Sequence, residues 1–294
     1  MLNIAVLVSG GGTNLQALLD AQAAGTLKSG RITLVVSSKE GAYALTRAQN
    51  AGVESAVLSR VSGETPAAYG ERLIALLRAH GVDMVVLAGF MYILTPELID
   101  AYPNAILNVH PALIPSFCGE GFYGLHVHEA ALAYGVKVTG ATVHFVSEDC
   151  DGGPIVLQQA VPIEEGDTAE VLQRRVMEQA EWKILPQAVG LIAAGRVEVE
   201  DGRVTFIGDE EAICRANVFL RTAERILIKV GSFKATSFEE LFEGTRALPW
   251  ERFIPREGQF PVKGHSLNSA LHSVPACQSI VKKAVAARLG EKYG

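Results

Sequence analysis

The chain has 294 residues, 49% hydrophobic and 20% charged, with a formal net charge of −6. That apolar content can offset the entropy lost on ordering, which excludes a disordered chain, and the length accommodates one long domain or two unequal ones. Four cysteines, Cys118, Cys150, Cys214 and Cys277, lie far apart with no CxxC pair, so neither a disulfide framework nor a structural zinc site is signalled.

The opening MLNIAVLVSGGG is short, lacks a basic leader and runs into glycines, so it reads as a strand and not a signal peptide. No stretch reaches the roughly 20 apolar residues of a membrane span. A cytoplasmic protein without a membrane partner is expected. Residues 1–208 carry 13 Lys and Arg against 22 Asp and Glu, whereas residues 209–294 carry 13 against 10. An acidic front argues against nucleic acid there and leaves RNA open to the tail alone.

LNIAVLV at 2–8 is followed by Gly10-Gly11-Gly12 and a helical pattern with Leu15, Leu18 and Leu19 on one face. The alternation recurs: strands at 31–38, 53–58 and 83–89 precede helices near 41–51, 66–80 and 95–101, and AILNVH at 105–110 is a fifth strand. Continuous Val, Ile and Leu runs belong to strands buried on both faces, so an α/β fold follows: an open, mostly parallel twisted sheet with helices on both sides. Further strands are predicted at 138–146 and 154–163, and a long helix at 168–194.

Ligands of such sheets collect at the carboxyl ends of the strands. Three successive glycines before a helix let backbone N–H groups approach an anion, so a phosphate is the natural ligand of residues 9–14; a glycine turn without a ligand is the competing reading. Strand alternation puts Asn108 and His110 on one face at the end of the fifth strand, where Pro111 turns the chain out of the sheet. An amide and an imidazole there can stabilise an oxyanion, and the imidazole can relay a proton. Asp151, in the DGGP turn, would raise the pKa of His110 if it came close. Taken singly, the histidine also reads as a satisfied strand end and the DGG as a plain turn.

The set SGGGTNLQAL at 9–18, VVLAGFMYIL at 85–94, LNVHPALIPSF at 107–117, GLHVHEAAL at 124–132, GATVHFV at 140–146 and DGGPIVLQ at 151–158 resembles the phosphoribosylglycinamide (glycinamide ribonucleotide) formyltransferases, over residues 1–207. The resemblance implies a Rossmann-like domain that moves a formyl group from the co-substrate 10-formyltetrahydrofolate to the amine of 5'-phosphoribosylglycinamide in purine biosynthesis, with no metal. It implies Asn108, His110 and Asp151 as catalytic residues, Gly12, Thr13, Asn14 and Glu181 as ribonucleotide-binding, and Met91, Tyr92, Ile93, Leu94 and His144 as folate-binding. Three departures stand out. Pro66 replaces a basic residue found in some relatives, leaving Arg60, Arg72 or the loop amides to meet the phosphate. The loop 116–128 is longer than in many relatives, and Tyr92 stands where some carry Arg. Another folate-dependent formyltransferase or a formyltetrahydrofolate hydrolase is the alternative.

Residues 208–294 carry a separate pattern: a helix then a strand over 212–233, a helix at 238–248, a strand entering a helical segment at 260–271, and a helix at 273–289. This stretch resembles the N-terminal, THUMP-containing region of 23S ribosomal RNA guanine-N2 methyltransferases. The resemblance implies an incomplete α+β, ferredoxin-like fragment without methyltransferase activity. Lys263, His265, Lys282 and Lys283 are its candidate RNA contacts, with a solvated basic face as the competing and favoured reading, and a module that only binds RNA is a rival function. Oligomeric state is left open.

Overall fold

The computed structural model describes residues 1–200, 202–209, 211–212, 227–266 and 269–294. The chain separates into two compact units, Met1–Glu224 and Arg225–Gly294.

In the first unit β1 (Leu2–Val8), β2 (Gly30–Ser37), β3 (Glu54–Val57), β4 (Met84–Leu87) and β5 (Ile106–His110) pair in parallel, and β6 (Val138–Phe145) and β7 (Ile155–Pro162) complete the sheet antiparallel. The order is β3-β2-β1-β4-β5-β6-β7. The order reverses at β1, so a crevice opens between the carboxyl ends of β1 and β4.

Among the described residues of this unit, seven helices flank the sheet: α1 (Thr13–Ala23), α2 (Tyr43–Asn50), α3 (Pro66–Ala79), α4 (Pro96–Ala101), α5 (Leu125–Tyr134), α6 (Ala169–Val176) and α7 (Trp182–Ala193). Alternate residues of β1 feed two separate cores. Ile4, Val6 and Val8 pack with Leu15 and Leu18 of α1 and Leu185 and Val189 of α7, while Ala5 and Leu7 pack with Leu73 and Leu77 of α3 and Leu98 of α4. Both faces of the strand are therefore dry, and truncating a fully buried side chain such as Leu7 or Leu15 to alanine would cost about 2–5 kcal/mol.

The predicted single helix over 168–194 is interrupted. Between α6 and α7 the chain widens into one π-helical turn, Met177–Glu181, just ahead of Pro186, which has no N–H to offer the carbonyl of Trp182. A hairpin of β8 (Val197–Glu200) and β9 (Arg203–Phe206) follows, and its Val197, Val199 and Val204 pack against the first core.

The second unit contains α8 (Phe238–Ala247), opened by a capping box between Ser237 and Glu240, a short 3-10 turn Trp250–Arg252, and α9 (Val274–Tyr293). Arg288 of α9 makes two hydrogen bonds to the Glu251 carboxylate at 3.0 and 2.7 Å, and Trp250 Nε1 donates to the Thr245 carbonyl at 2.7 Å. The strand expected within 260–271 is not seen among the described residues of that segment, where Pro261 has no N–H for a ladder. The helix expected from 212 falls mostly outside the described residues.

Candidate active site

After β1 the chain turns through Ser9–Gly12 into α1. Gly12 adopts a left-handed φ of 71°, and a Cβ there would lie 2.7 Å from the Ala44 Cβ, so glycine is what lets α2 pack against the loop. The Ala44 N–H donates to the Gly10 carbonyl at 3.2 Å and Arg47 Nε donates to the Gly11 carbonyl at 2.8 Å. Thr13 opens the helix. Asn14 donates through Nδ2 to Glu181 Oε2 at 2.6 Å, joining two residues 167 positions apart. Glu181 is 6% exposed, and burial pushes its carboxyl up to about 7 against the opposing pull of Asn14. Asn14 Oδ1 is buried without a partner among the described residues.

Ser9 ties this loop to the next strand end. Its hydroxyl meets Ser38 Oγ at 2.6 Å and accepts from the Met91 N–H at 3.0 Å. Beyond Met91 the side chains alternate: Met91 and Ile93 are exposed, while Tyr92 and Leu94 pack on the α3 core layer. Tyr92 sits edge-on to Tyr69 and Phe90, and the Arg60 guanidinium lies 5.3 Å above its ring. Residues 91 and 93 thus offer an apolar ledge beside the crevice.

β5 delivers Asn108 and His110 to the same region, and the loop before β7 delivers Asp151. One carboxylate oxygen of Asp151 lies 3.4 Å from Asn108 Nδ2, and the other lies 3.4 Å from His110 Nδ1. Asp151 has a left-handed φ of 56°, and a Cβ on Gly153 would come within 1.8 Å of the Phe145 carbonyl, so the glycine permits the close turn that carries the aspartate inward. His144, opposite Asn108 in the β5–β6 register, donates through Nδ1 to the Phe145 carbonyl and presents Nε2 to Asn108 Nδ2 at 3.2 Å. It is 2% exposed, and its contacts, with Asn108 Nδ2 at 3.2 Å and Asp151 Oδ1 at 3.5 Å, place it in the Asn108–Asp151 cluster.

The long loop closes over this cluster. His110 Nε2 donates to the Phe117 carbonyl at 2.7 Å, and the Gly119 N–H donates to Asp151 Oδ2 at 3.0 Å. Asp151's carboxyl is held below the usual range: His144, His110 and the Gly119 amide together outweigh burial, the largest single influence on it. For His110 burial outweighs both Asp151 and Phe117, so its pKa is lowered. Proximity to Asp151 does raise it, as expected from the sequence, but the net direction is the reverse because the ring is only 4% exposed.

Comparison with known proteins places this arrangement. The formyl transferase family model matches residues 2–189. The chain belongs to the formyl transferase family. It is 39% identical over 200 residues to the phosphoribosylglycinamide formyltransferase of Escherichia coli (strain K12), covering 68% of this chain and 91% of that protein. It is 40% identical over 208 residues to the human trifunctional purine biosynthetic protein adenosine-3, spanning 70% of this chain and about a fifth (20%) of that protein's length. Among solved structures, glycinamide ribonucleotide transformylase 1 from Symbiobacterium toebii aligns with a TM-score of 0.67 and 44% identity, over 71% of this chain and 95% of that one. A formyltetrahydrofolate deformylase from Pseudomonas syringae aligns with a TM-score of 0.64 and 26% identity, over 70% of this chain and 66% of that one. Beyond the formyl transferase domain, models of the RlmL ferredoxin-like domain and the THUMP domain match residues 187–227 and 235–293.

Several contacts of the formyl transferase site escaped sequence reasoning. Neither Arg60 nor Arg72 reaches the glycine loop: Arg60 stacks on Tyr92 and Tyr69, and Arg72 pairs with Glu64 at 2.7 Å. Arg47 is the cation at the loop, brought there by the packing of α2 on Gly12. The backbone groups of Phe117 and Gly119 carry no side-chain signature at all. Among the described residues no cluster of His, Cys, Asp or Glu could hold a metal, and no helix is long and apolar enough to cross a membrane.

Proposed function

We propose that residues 1–207 transfer a formyl group from 10-formyltetrahydrofolate to the amine of 5'-phosphoribosylglycinamide, in the cytoplasm, as a step of purine biosynthesis. The observation that carries this reading is the meeting of Asn108, His110 and Asp151 around one carboxylate, between an apolar ledge and a glycine loop backed by Asn14 and Glu181. The names of the relatives support the same substrates. The ribonucleotide phosphate is assigned to the amides of Gly12, Thr13 and Asn14 at the positive end of α1. Glu181 and Asn14 Oδ1 are assigned to the donors of its ribose and glycinamide, and the pterin to the ledge at Met91–Leu94.

In the mechanism that follows, the neutral amine attacks the formyl carbon and charge develops on the formyl oxygen. His110 donates its Nε2 hydrogen and Asn108 an Nδ2 hydrogen to that oxygen. To do so His110 exchanges the Phe117 carbonyl for substrate. Asp151, ionised at neutral pH, takes the proton released by the attacking nitrogen, through water, and returns it to N10 of the folate as the C–N10 bond breaks. No covalent intermediate on the protein is required.

Incubating the full chain with both substrates and following tetrahydrofolate release tests the reading. Release that requires the ribonucleotide supports transfer; release without it supports a hydrolase instead. RNA is the proposed partner of residues 208–294, contacting the exposed Lys263, His265, Lys282 and Lys283. Binding to a structured RNA that weakens steeply with salt is the expected result, and salt-independent or absent binding is the contrary one.

A further inference from the structure

A row of backbone amides binds an anion only while its N–H groups, and not its carbonyls, face that anion. In the loop after β1 no side chain restrains the peptides, because Gly10 and Gly11 have no Cβ and the space a Cβ would take is open at both. Each of these peptides could rotate, and a rotated peptide would present its carbonyl oxygen to the ligand. Two hydrogen bonds oppose that rotation, both from α2: the Ala44 N–H to the Gly10 carbonyl at 3.2 Å and Arg47 Nε to the Gly11 carbonyl at 2.8 Å.

The Arg47 side chain is itself held by two further contacts, one of them braced in turn. Its Nη1 donates to Gln16 Oε1 at 2.9 Å, Gln16 Nε2 donates onward to Asp20 Oδ1 at 2.8 Å, and the guanidinium lies 5.0 Å over the Tyr43 ring. No carboxylate among the described residues pairs with it directly, so its charge stays beside the loop. Arg47 also lines a cavity of about 300 Å³ with Thr13, Gln16 and Trp182, next to the start of α1.

We infer that Arg47 is a positioning residue for the substrate phosphate: it holds the Gly11 carbonyl away from the anion, turns the following amides toward it, and adds a fixed positive charge at the loop. This rests on the reading of Gly12, Thr13 and Asn14 as the phosphate site. Neither the Pro66 substitution nor the pairing of Arg72 with Glu64 then leaves the loop without a cation.

The test uses the full chain with Arg47→Gln and Arg47→Lys, assayed with the phosphorylated ribonucleotide and with the same compound lacking its phosphate. Losing a charge-assisted hydrogen bond should raise KM for the phosphorylated substrate about 10- to 100-fold in Arg47→Gln, with kcat and the KM for the folate nearly unchanged. Arg47→Lys, which keeps the charge and loses the planar fork, should lie between. On the substrate without phosphate, wild type and variants should have equal kcat/KM. Unchanged KM in Arg47→Gln, or equal losses on both substrates, overturns the inference. If the wild type transfers no formyl group, the proposed function fails but the inference stays testable through inorganic phosphate. Phosphate should then shift the Gly12 and Thr13 amide resonances in the wild type and less in Arg47→Lys, chosen because it preserves packing. Equal shifts in both overturn the inference.

Discussion

Asn14 and Glu181, 167 residues apart, share a hydrogen bond of 2.6 Å between the first turn of α1 and the π-helical turn before α7. The bond closes one wall of the site and satisfies one oxygen of a carboxyl group that is otherwise cut off from water. Because burial raises the Glu181 pKa to about 7, from 4.5, the folded protein holds a proton there that the unfolded chain has lost over that interval. The contribution of Glu181 to stability therefore declines as pH rises from 4.5 to about 7, by on the order of 3 kcal/mol. In Glu181→Gln this slope should vanish. Chemical denaturation of both proteins at pH 5 and pH 8 measures it, and parallel changes in the two would contradict the assignment.

His128 tests the opposite slope. It is fully buried on α5, neither ring nitrogen has a partner among the described residues, and burial, followed by the charge of His110, lowers its pKa to about 4. Here the unfolded chain binds the proton first, so stability falls as pH drops from 6.5 to about 4. The window overlaps that of Glu181 between pH 4.5 and 6.5 with the opposite slope, so His128→Leu should leave the Glu181 decline unopposed there and steepen the fall of the thermal-unfolding midpoint with rising pH.

At His110 burial and Asp151 oppose each other. Nuclear magnetic resonance titration should find the His110 midpoint below 6.5 in the wild type and lower still in Asp151→Asn, where the raising charge is gone. A midpoint that rises in Asp151→Asn would show that the carboxylate does not act on this ring.

Asn108→Ala and His110→Ala each remove one donor aimed at the developing oxyanion. A loss of about 10²–10³ in kcat is expected for each, with KM values and thermal stability little altered. Wild-type turnover in either variant would remove that residue from the chemistry.

Gly153→Ala places a methyl group where the Phe145 carbonyl lies 1.8 Å away, so the turn carrying Asp151 must shift. A stability loss of about 1–3 kcal/mol is expected, with a fall in kcat larger than that of a neighbouring exposed substitution such as Asp149→Ala. Unfolding midpoints and turnover measured on the same samples check both.

Much of this was readable from local pattern. Continuous apolar runs announced the parallel strands, period-two alternation put Asn108 and His110 on one face, and the glycines after β1 marked a backbone able to approach an anion. The resemblance then pointed to Asp151 and Glu181 from far along the chain. Other features had no local signal. Arg47 reaches Gly11 because α2 packs on a glycine that has no Cβ to keep it away, and the Phe117 carbonyl and Gly119 amide act through backbone atoms that every residue possesses.

By itself the order of amino acids determined which segments become strands and helices and which side chains share a face, because those properties depend on neighbours a few residues apart. Only the tertiary structure decided that His110 is pulled toward its neutral form, that Glu181 holds its proton near neutrality, and that the cation of the glycine loop is Arg47. Each of these depends on how much water is excluded and which distant group packs alongside, and both are set when the whole sheet and its helices close together.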